Sequence, residues 1–304
     1  MVMVSVENLS RRYGARTALD GVSFEVHEGE VFGVLGPNGG GKSTLFRVLA
    51  TMLPPSSGHA RVADYDVERQ PAEVRKRIGV VFQSQSLDRK LTVEENLRAQ
   101  GHLFGMHGAR LRERVEEAMQ RFGLADRRND LIETLSGGLR RRVEIAKGLL
   151  HRPAVLLMDE PSTGLDPGAR RELWHYIEDL REQQGITVLV TTHILDEADR
   201  ASRLLLLHEG RVVTEGRPAE LKSRIGGDVV TLDVAEPASM IEQLQARLGV
   251  SAHAVNGSLR VEIGNGHRFI AQAIEAFPGV IQSVALHKPT LEDVFLDETG
   301  ARLT

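Results

Sequence analysis

The chain of 304 residues contains no cysteine, which excludes disulfides, thiolate metal sites and cysteine nucleophiles. Aromatic residues are scarce at 4%, and only six of the 38 basic residues are lysines. The excess of arginine reads as codon usage rather than as a phosphate-binding design. No window approaches the roughly 18 apolar residues of a membrane-spanning helix. The opening MVMVSVENLS lacks the basic segment and apolar run of a secretory signal. The eleven histidines are scattered without zinc-like pairing. Net charge is only −4, so no basic footprint exists and nucleic acid is not expected as a partner. The length and the ordinary composition suit one large domain plus a smaller one.

What is present alternates in character up to about residue 210. Short apolar runs stand at 31–36, 78–83, 155–160, 186–193 and 203–210. They are too continuous for half-exposed strands and fit a parallel sheet covered on both faces. Amphipathic helical patterns separate them, which argues for α/β architecture. VSVENL and VSFEV near the start alternate apolar with polar, as an antiparallel flank does. Between Gln83 and Val155 no convincing strand occurs. Leu111, Val115, Ala118 and Phe122 recur at helical spacing, as do Leu139, Val143, Ala146 and Leu150. This stretch, about 85–152, reads as an inserted helical subdomain, with Ser136 the N-cap of its last helix.

Past residue 220 the spacing predicts strand 228–235, helix 237–248, strands 250–256 and 258–264, helix 267–277, strand 280–287 and a helix over 290–298. Ile241, Leu244 and Leu248 form one expected apolar stripe, and Ile270, Ile274 and Phe277 another. The βαββαβ order resembles a ferredoxin-like module. From residue 228 on there are ten acidic and five basic residues, a net charge of −5, which leaves +1 for the rest. The expected division is 1–220 and 221–304.

Gly36, Pro37, Asn38, Gly39, Gly40, Gly41, Lys42 and Ser43 satisfy G-x-x-x-x-G-K-[ST] between an apolar strand and a helical pattern opening at Thr44. That context is what a phosphate loop demands. Glycine lets backbone N–H groups approach phosphate oxygens, Lys42 would neutralise the β/γ-phosphates, and the Ser43 hydroxyl would ligate Mg²⁺. Asp159 ends an apolar strand where its carboxylate can reach that ion. Glu160 is the candidate for polarising the attacking water. His193 and Gln83 also end strands, at the sheet edge where α/β folds bind ligands. The histidine would bond the γ-phosphate or the water, and the Gln83 amide oxygen would complete the magnesium shell. Tyr13, placed in a loop ahead of the sheet, is open between a structural aromatic and a surface on which adenine stacks.

A second glycine-bearing helix start follows in LSGGLRRRVEIAKG, residues 135–148, although the first already offers a phosphate site. With it, the motifs in register resemble the ATP-binding cassette family over roughly residues 3–220. Tyr13 matches the adenine-stacking loop, 36–44 Walker A, Gln83 the Q-loop, LSGG at 135–138 the signature, 155–160 Walker B, STGLD at 162–166 the D-loop and His193 the switch histidine. The resemblance implies a P-loop cassette fold and an ATPase using ATP and Mg²⁺. It also implies head-to-tail pairing with a second copy, in which Ser136, Gly137 and Gly138 contact the partner's γ-phosphate and Asp166 crosses the interface. Leu139 stands where the signature usually has glutamine, and Gly40 where alanine is common.

KPTLEDVFLDETG at 288–300 looks like the end of cassettes from the daunorubicin-resistance exporter group. That narrower resemblance implies a separate membrane-spanning permease, a docking surface at about Ser84 to Leu103, and a peripheral place on the cytoplasmic side of the membrane. Other classes remain open: a soluble non-transport cassette ATPase, an importer ATPase with a regulatory tail, and an inactive binding module. Intact Glu160 and His193 speak against the last.

Overall fold

The structure, a computed structural model, describes residues 1–255 and 257–301. β1 (Val2–Tyr13) and β2 (Arg16–His27) pair antiparallel, turning at Gly14 with φ 57°. Tyr13 is therefore the last residue of a twelve-residue strand, not part of a loop. The wholly buried β3 (Val31–Leu35) is followed by the phosphate loop and α1 (Lys42–Leu49). β4 (Ser57–Val62) and β5 (Tyr65–Asp66) complete a four-stranded sheet in the order β2-β1-β4-β5. The later parts of β2 and β4 alternate between buried and exposed, as a sheet covered on one face requires.

α2 (Pro71–Arg77) leads to β6 (Ile78–Val81), so Gln83 lies two residues beyond its strand. The helical insertion carries α3 (Val93–Leu103), α4 (Gly108–Arg121) and α5 (Gly137–Leu149). Leu97, Leu111, Val115, Met119, Phe122, Val143 and Ile145 close its core. Ser136 is the N-cap of α5, its hydroxyl accepting from the Leu139 N–H at 3.3 Å. β7 (Val155–Asp159), α6 (Pro167–Gln184), β8 (Thr187–Thr192), the short α7 (Leu195–Ala198), β9 (Arg203–His208) and β10 (Arg211–Gly216) follow.

The second sheet runs β10-β9-β3-β8-β7-β6 and is parallel except for β10. β3, β7 and β8 are buried along their whole length, which explains their continuous apolar runs. α1 packs Leu45, Phe46, Val48 and Leu49 into the core shared by both sheets. Because β3, β6, β7 and β8 run parallel, the residues after their carboxyl ends gather along one sheet edge.

The chain divides into two compact units, Met1–Arg217 and one from Pro218 onward. The second opens with α8 (Pro218–Ser223). It continues β11 (Asp228–Val234), α9 (Pro237–Leu248), β12 (Ala252–Val255), β13 (Ser258–Ile263), α10 (Gly266–Ala276), β14 (Ile281–His287) and α11 (Leu291–Thr299). Its sheet order, β12-β13-β11-β14 with antiparallel neighbours, is the one a split βαβ pair makes. The stripe on α10 differs from expectation. Ile274 is 53% exposed, whereas the expected Phe277 is buried and the expected Ile270 packs against the core, joined there by Phe269 and Ala273.

Candidate active site

The loop between β3 and α1 is built around absent side chains. A Cβ on Gly36 would meet the Leu207 carbonyl oxygen at 2.2 Å, and one on Gly41, at φ 109°, would meet that of Ala18 at 2.7 Å. Gly41 caps α1 without a side-chain acceptor, leaving the first N–H groups of the helix free for an anion. Lys42 is buried, its ammonium donating to the carbonyls of Gly36 at 2.7 Å and Pro37 at 3.0 Å. Tyr13, Arg16, Asn38, Gly39, Gly41, Lys42, Ser43, Thr44, Arg47, Gln83 and Glu160 border a cavity of about 330 Å³.

Two adjacent buried carboxylates face different partners. Asp159 accepts from the Ser43 hydroxyl at 3.3 Å and from Thr191 Oγ1 at 2.6 Å. Burial, the largest influence, holds its carboxyl above the usual aspartate range despite those two bonds. Glu160 lies 3.1 Å from Lys42 Nζ and accepts from Gln83 Nε2 at 3.2 Å. His193 Nδ1 sits 3.2 Å from Glu160 Oε2, off the line of a hydrogen bond. Glu160 adopts φ 44°, a left-handed conformation uncommon for a residue with a side chain. Its N–H is pinned by Thr191 Oγ1 at 3.0 Å. Thr191 thus holds the Asp159 carboxylate and the Glu160 backbone, and only its place on β8 beside β7 reveals that.

The chain is also similar to known proteins. Residues 19–163 match the pattern described as ABC transporter. The chain is 42% identical to the daunorubicin/doxorubicin resistance ATP-binding protein DrrA of Streptomyces peucetius, over 98% of this chain and 92% of that one. The chain belongs to the ABC transporter ATP-binding family. It is 37% identical to the Nod factor export ATP-binding protein I of Paraburkholderia xenovorans, covering 99% of this chain and 98% of that one. The dimeric post-hydrolysis structure of the cassette MJ0796 bound to ADP and phosphate superposes with a TM-score of 0.64 at 30% identity, over 71% of this chain and 98% of that one. ATP-binding subunits of this family are ATPases coupled to transport, and they dimerise and partner with membrane permeases.

In this ABC ATPase the expected residues fall into two groups. The phosphate loop, Gln83, Asp159, Glu160 and His193 come together at one edge of the parallel sheet, and Tyr13, from the end of β1 in the other sheet, borders the same cavity. The amide nitrogen of Gln83 donates to Glu160. Ser136, Gly137 and Gly138 do not border that cavity. Gly138 lies against Ala169 and Gly137 against Leu165, while Ser136 is exposed. Asp166 caps α6, accepting from the Gly168 and Ala169 N–H groups, which hold its carboxyl below the usual range. Arg16 and Arg47 are the residues the sequence reading missed. Arg16 Nη2 lies 3.5 Å from the Gly39 carbonyl oxygen, and Arg47 stands one turn after Ser43 on α1.

Proposed function

We propose that this ABC ATPase works as a head-to-tail pair of identical chains that drives a separate membrane permease exporting an antibiotic-like or other small compound. One observation carries the hydrolytic part: Lys42, Gln83 and His193 converge on the single carboxylate of Glu160 beside the phosphate loop. The Lys42 ammonium is held by that carboxylate and two carbonyls. The β- and γ-phosphates of ATP compete for the same ammonium, and Glu160 is released to accept a proton from the attacking water. Gln83 and His193 then orient that water and the terminal phosphate, and Tyr13 offers its face to adenine.

Ser43 and Asp159 present two hard oxygen donors 3.3 Å apart, a donor set that fits Mg²⁺. These two residues would hold the ion, which supplies charge neutralisation of the phosphates when bound. The signature residues 136–138 lie at the start of another helix, outside the cavity. A second copy brings its own Ser136 and glycines to the γ-phosphate, so the site is complete only in the pair.

The transport part draws on the relatives' names, resistance and export. No helix among the described residues is long and apolar enough to cross a membrane, and the matched relatives are themselves named ATP-binding proteins. The membrane-spanning partner is therefore assigned to another chain, with this one peripheral on the cytoplasmic face. Leu103, 82% exposed at the end of α3, belongs to the segment assigned to docking. Purifying the tagged chain from its native membranes tests the reading. A polytopic membrane protein is expected to accompany it, and recovery with ribosomal proteins or DNA instead would overturn transport.

A further inference from the structure

We propose that Arg141 and Glu144 are positioning residues for ATP hydrolysis, fastening the segment that carries Gln83 to the signature helix α5. The inference rests on the reading that Gln83 serves hydrolysis at Glu160. Residues 83–87 receive no backbone-to-backbone hydrogen bond among the described residues, so their path is set by side chains. Arg141, Glu144 and Lys147 recur at three-residue spacing and share one side of α5. Arg141 Nη1 donates to the Phe82 carbonyl at 2.8 Å, and Nη2 reaches that of Gln83 at 3.4 Å. Glu144 accepts from the Ser86 N–H at 2.6 Å, and Lys147 Nζ donates to the Ser86 carbonyl at 2.7 Å.

Arg141 and Glu144 also pair with each other at 2.7 Å, their side chains only 4% and 1% exposed. A buried ion pair is a poor source of stability, because desolvation offsets the attraction. Here each partner also bonds the backbone around Gln83, Arg141 through both terminal nitrogens and Glu144 through its second oxygen, while Arg141 Nε has no partner among the described residues. The Gln83 amide in turn reaches Glu160. A continuous path thus runs from the helix that begins with Ser136 to the carboxylate assigned to the attacking water. Movement of α5 is transmitted to Gln83 through two held peptide groups rather than through a loose loop.

The test replaces the pair together, Arg141→Met with Glu144→Leu, which leaves no unpaired ion buried. ATPase kcat and KM and the melting temperature are measured on the full chain, alone and combined with Gln83→Ala. The expected result is a near-parental melting temperature, an unchanged KM for ATP and a kcat lower by about ten- to a hundredfold, as misplacement of a reacting group produces. In the Gln83→Ala background the pair is expected to cause no further loss. Parental kcat in the pair variant beside a slow Gln83→Ala overturns this proposal alone, as do multiplicative losses in the combination. Parental kcat in Gln83→Ala overturns the reading beneath it. If the pair variant melts early, Arg141→Lys decides, since it keeps the charge beside Glu144 but lacks the fork that spans Phe82 and Gln83. A lower kcat at unchanged KM supports the proposal, and parental kcat sinks it.

Discussion

Replacing Glu160 by glutamine separates two duties that the structure gives one side chain. Its carboxylate lies 3.1 Å from the buried ammonium of Lys42 and neutralises it. Glutamine keeps the shape and one acceptor oxygen but not the charge. Lys42 retains the carbonyls of Gly36 and Pro37, so the loss is that of one charge-assisted bond, about 1–3 kcal/mol. At roughly 2–4 °C per kcal/mol for a unit of this size, the ligand-free melting temperature falls by about 2–12 °C. ATP supplies the missing negative charge. At about a hundredfold excess over Kd it adds about 2.7 kcal/mol, and the variant is expected to bind it at least as tightly as the parent, because no carboxylate competes for Lys42. Turnover, followed by phosphate release at saturating ATP, falls by about 10²–10⁴. Hydrolysis at the parental rate removes Glu160 from the chemistry. Weaker ATP binding refutes the competition for Lys42.

Three further expectations test other parts of the site. Lys42→Ala leaves the phosphates without their cation, and equilibrium binding is expected to show no ATP retained; parental affinity would remove the loop from nucleotide binding. Ser136→Arg is expected to bind ATP normally but to form no ATP-dependent dimer by sizing, since on the proposed reading the exposed signature serine meets a partner's nucleotide; a dimer that still forms would overturn that reading. Asp159, raised by burial, stabilises the fold below the ordinary aspartate pKa, a contribution lost as pH rises through the raised value. Asp159→Asn is therefore expected to melt no lower than the parent at neutral pH while losing the Mg²⁺ dependence of its ATPase activity; a lower melting temperature would reverse that sign.

The phosphate loop was legible because its chemistry is local: strand, glycines, lysine and helix lie in one continuous stretch, Val31 to Leu49. The parallel strands were legible for a related reason, since a strand buried on both faces must be apolar throughout. What escaped the sequence depends on neighbours distant in the chain. Thr191 holds the Asp159 carboxylate and the Glu160 backbone only because β8 lies beside β7. Arg16 and Arg47 reach the cavity by the path of β2 and by one turn of α1, and among so many arginines nothing marked them out. Ile274 follows Ile270 by four residues just as Ala273 follows Phe269, so spacing alone fitted both pairs. The side of α10 that faces the sheet decided between them.

The same contrast explains why one domain carries two glycine-bearing helix starts. α1 begins at a glycine with no side-chain acceptor, so its free N–H groups hold an unmet demand for negative charge that ATP can fill in a single chain. α5 begins at Ser136, whose own hydroxyl already accepts from Leu139. That capped end has less to gain from a free anion, and its exposure makes it available to another molecule. On the proposed reading, the first helix captures the nucleotide and the second engages only a phosphate already held by a partner. Affinity for ATP and the closing of the pair are then set by different residues, and Lys42 and Ser136 variants must fail at different steps.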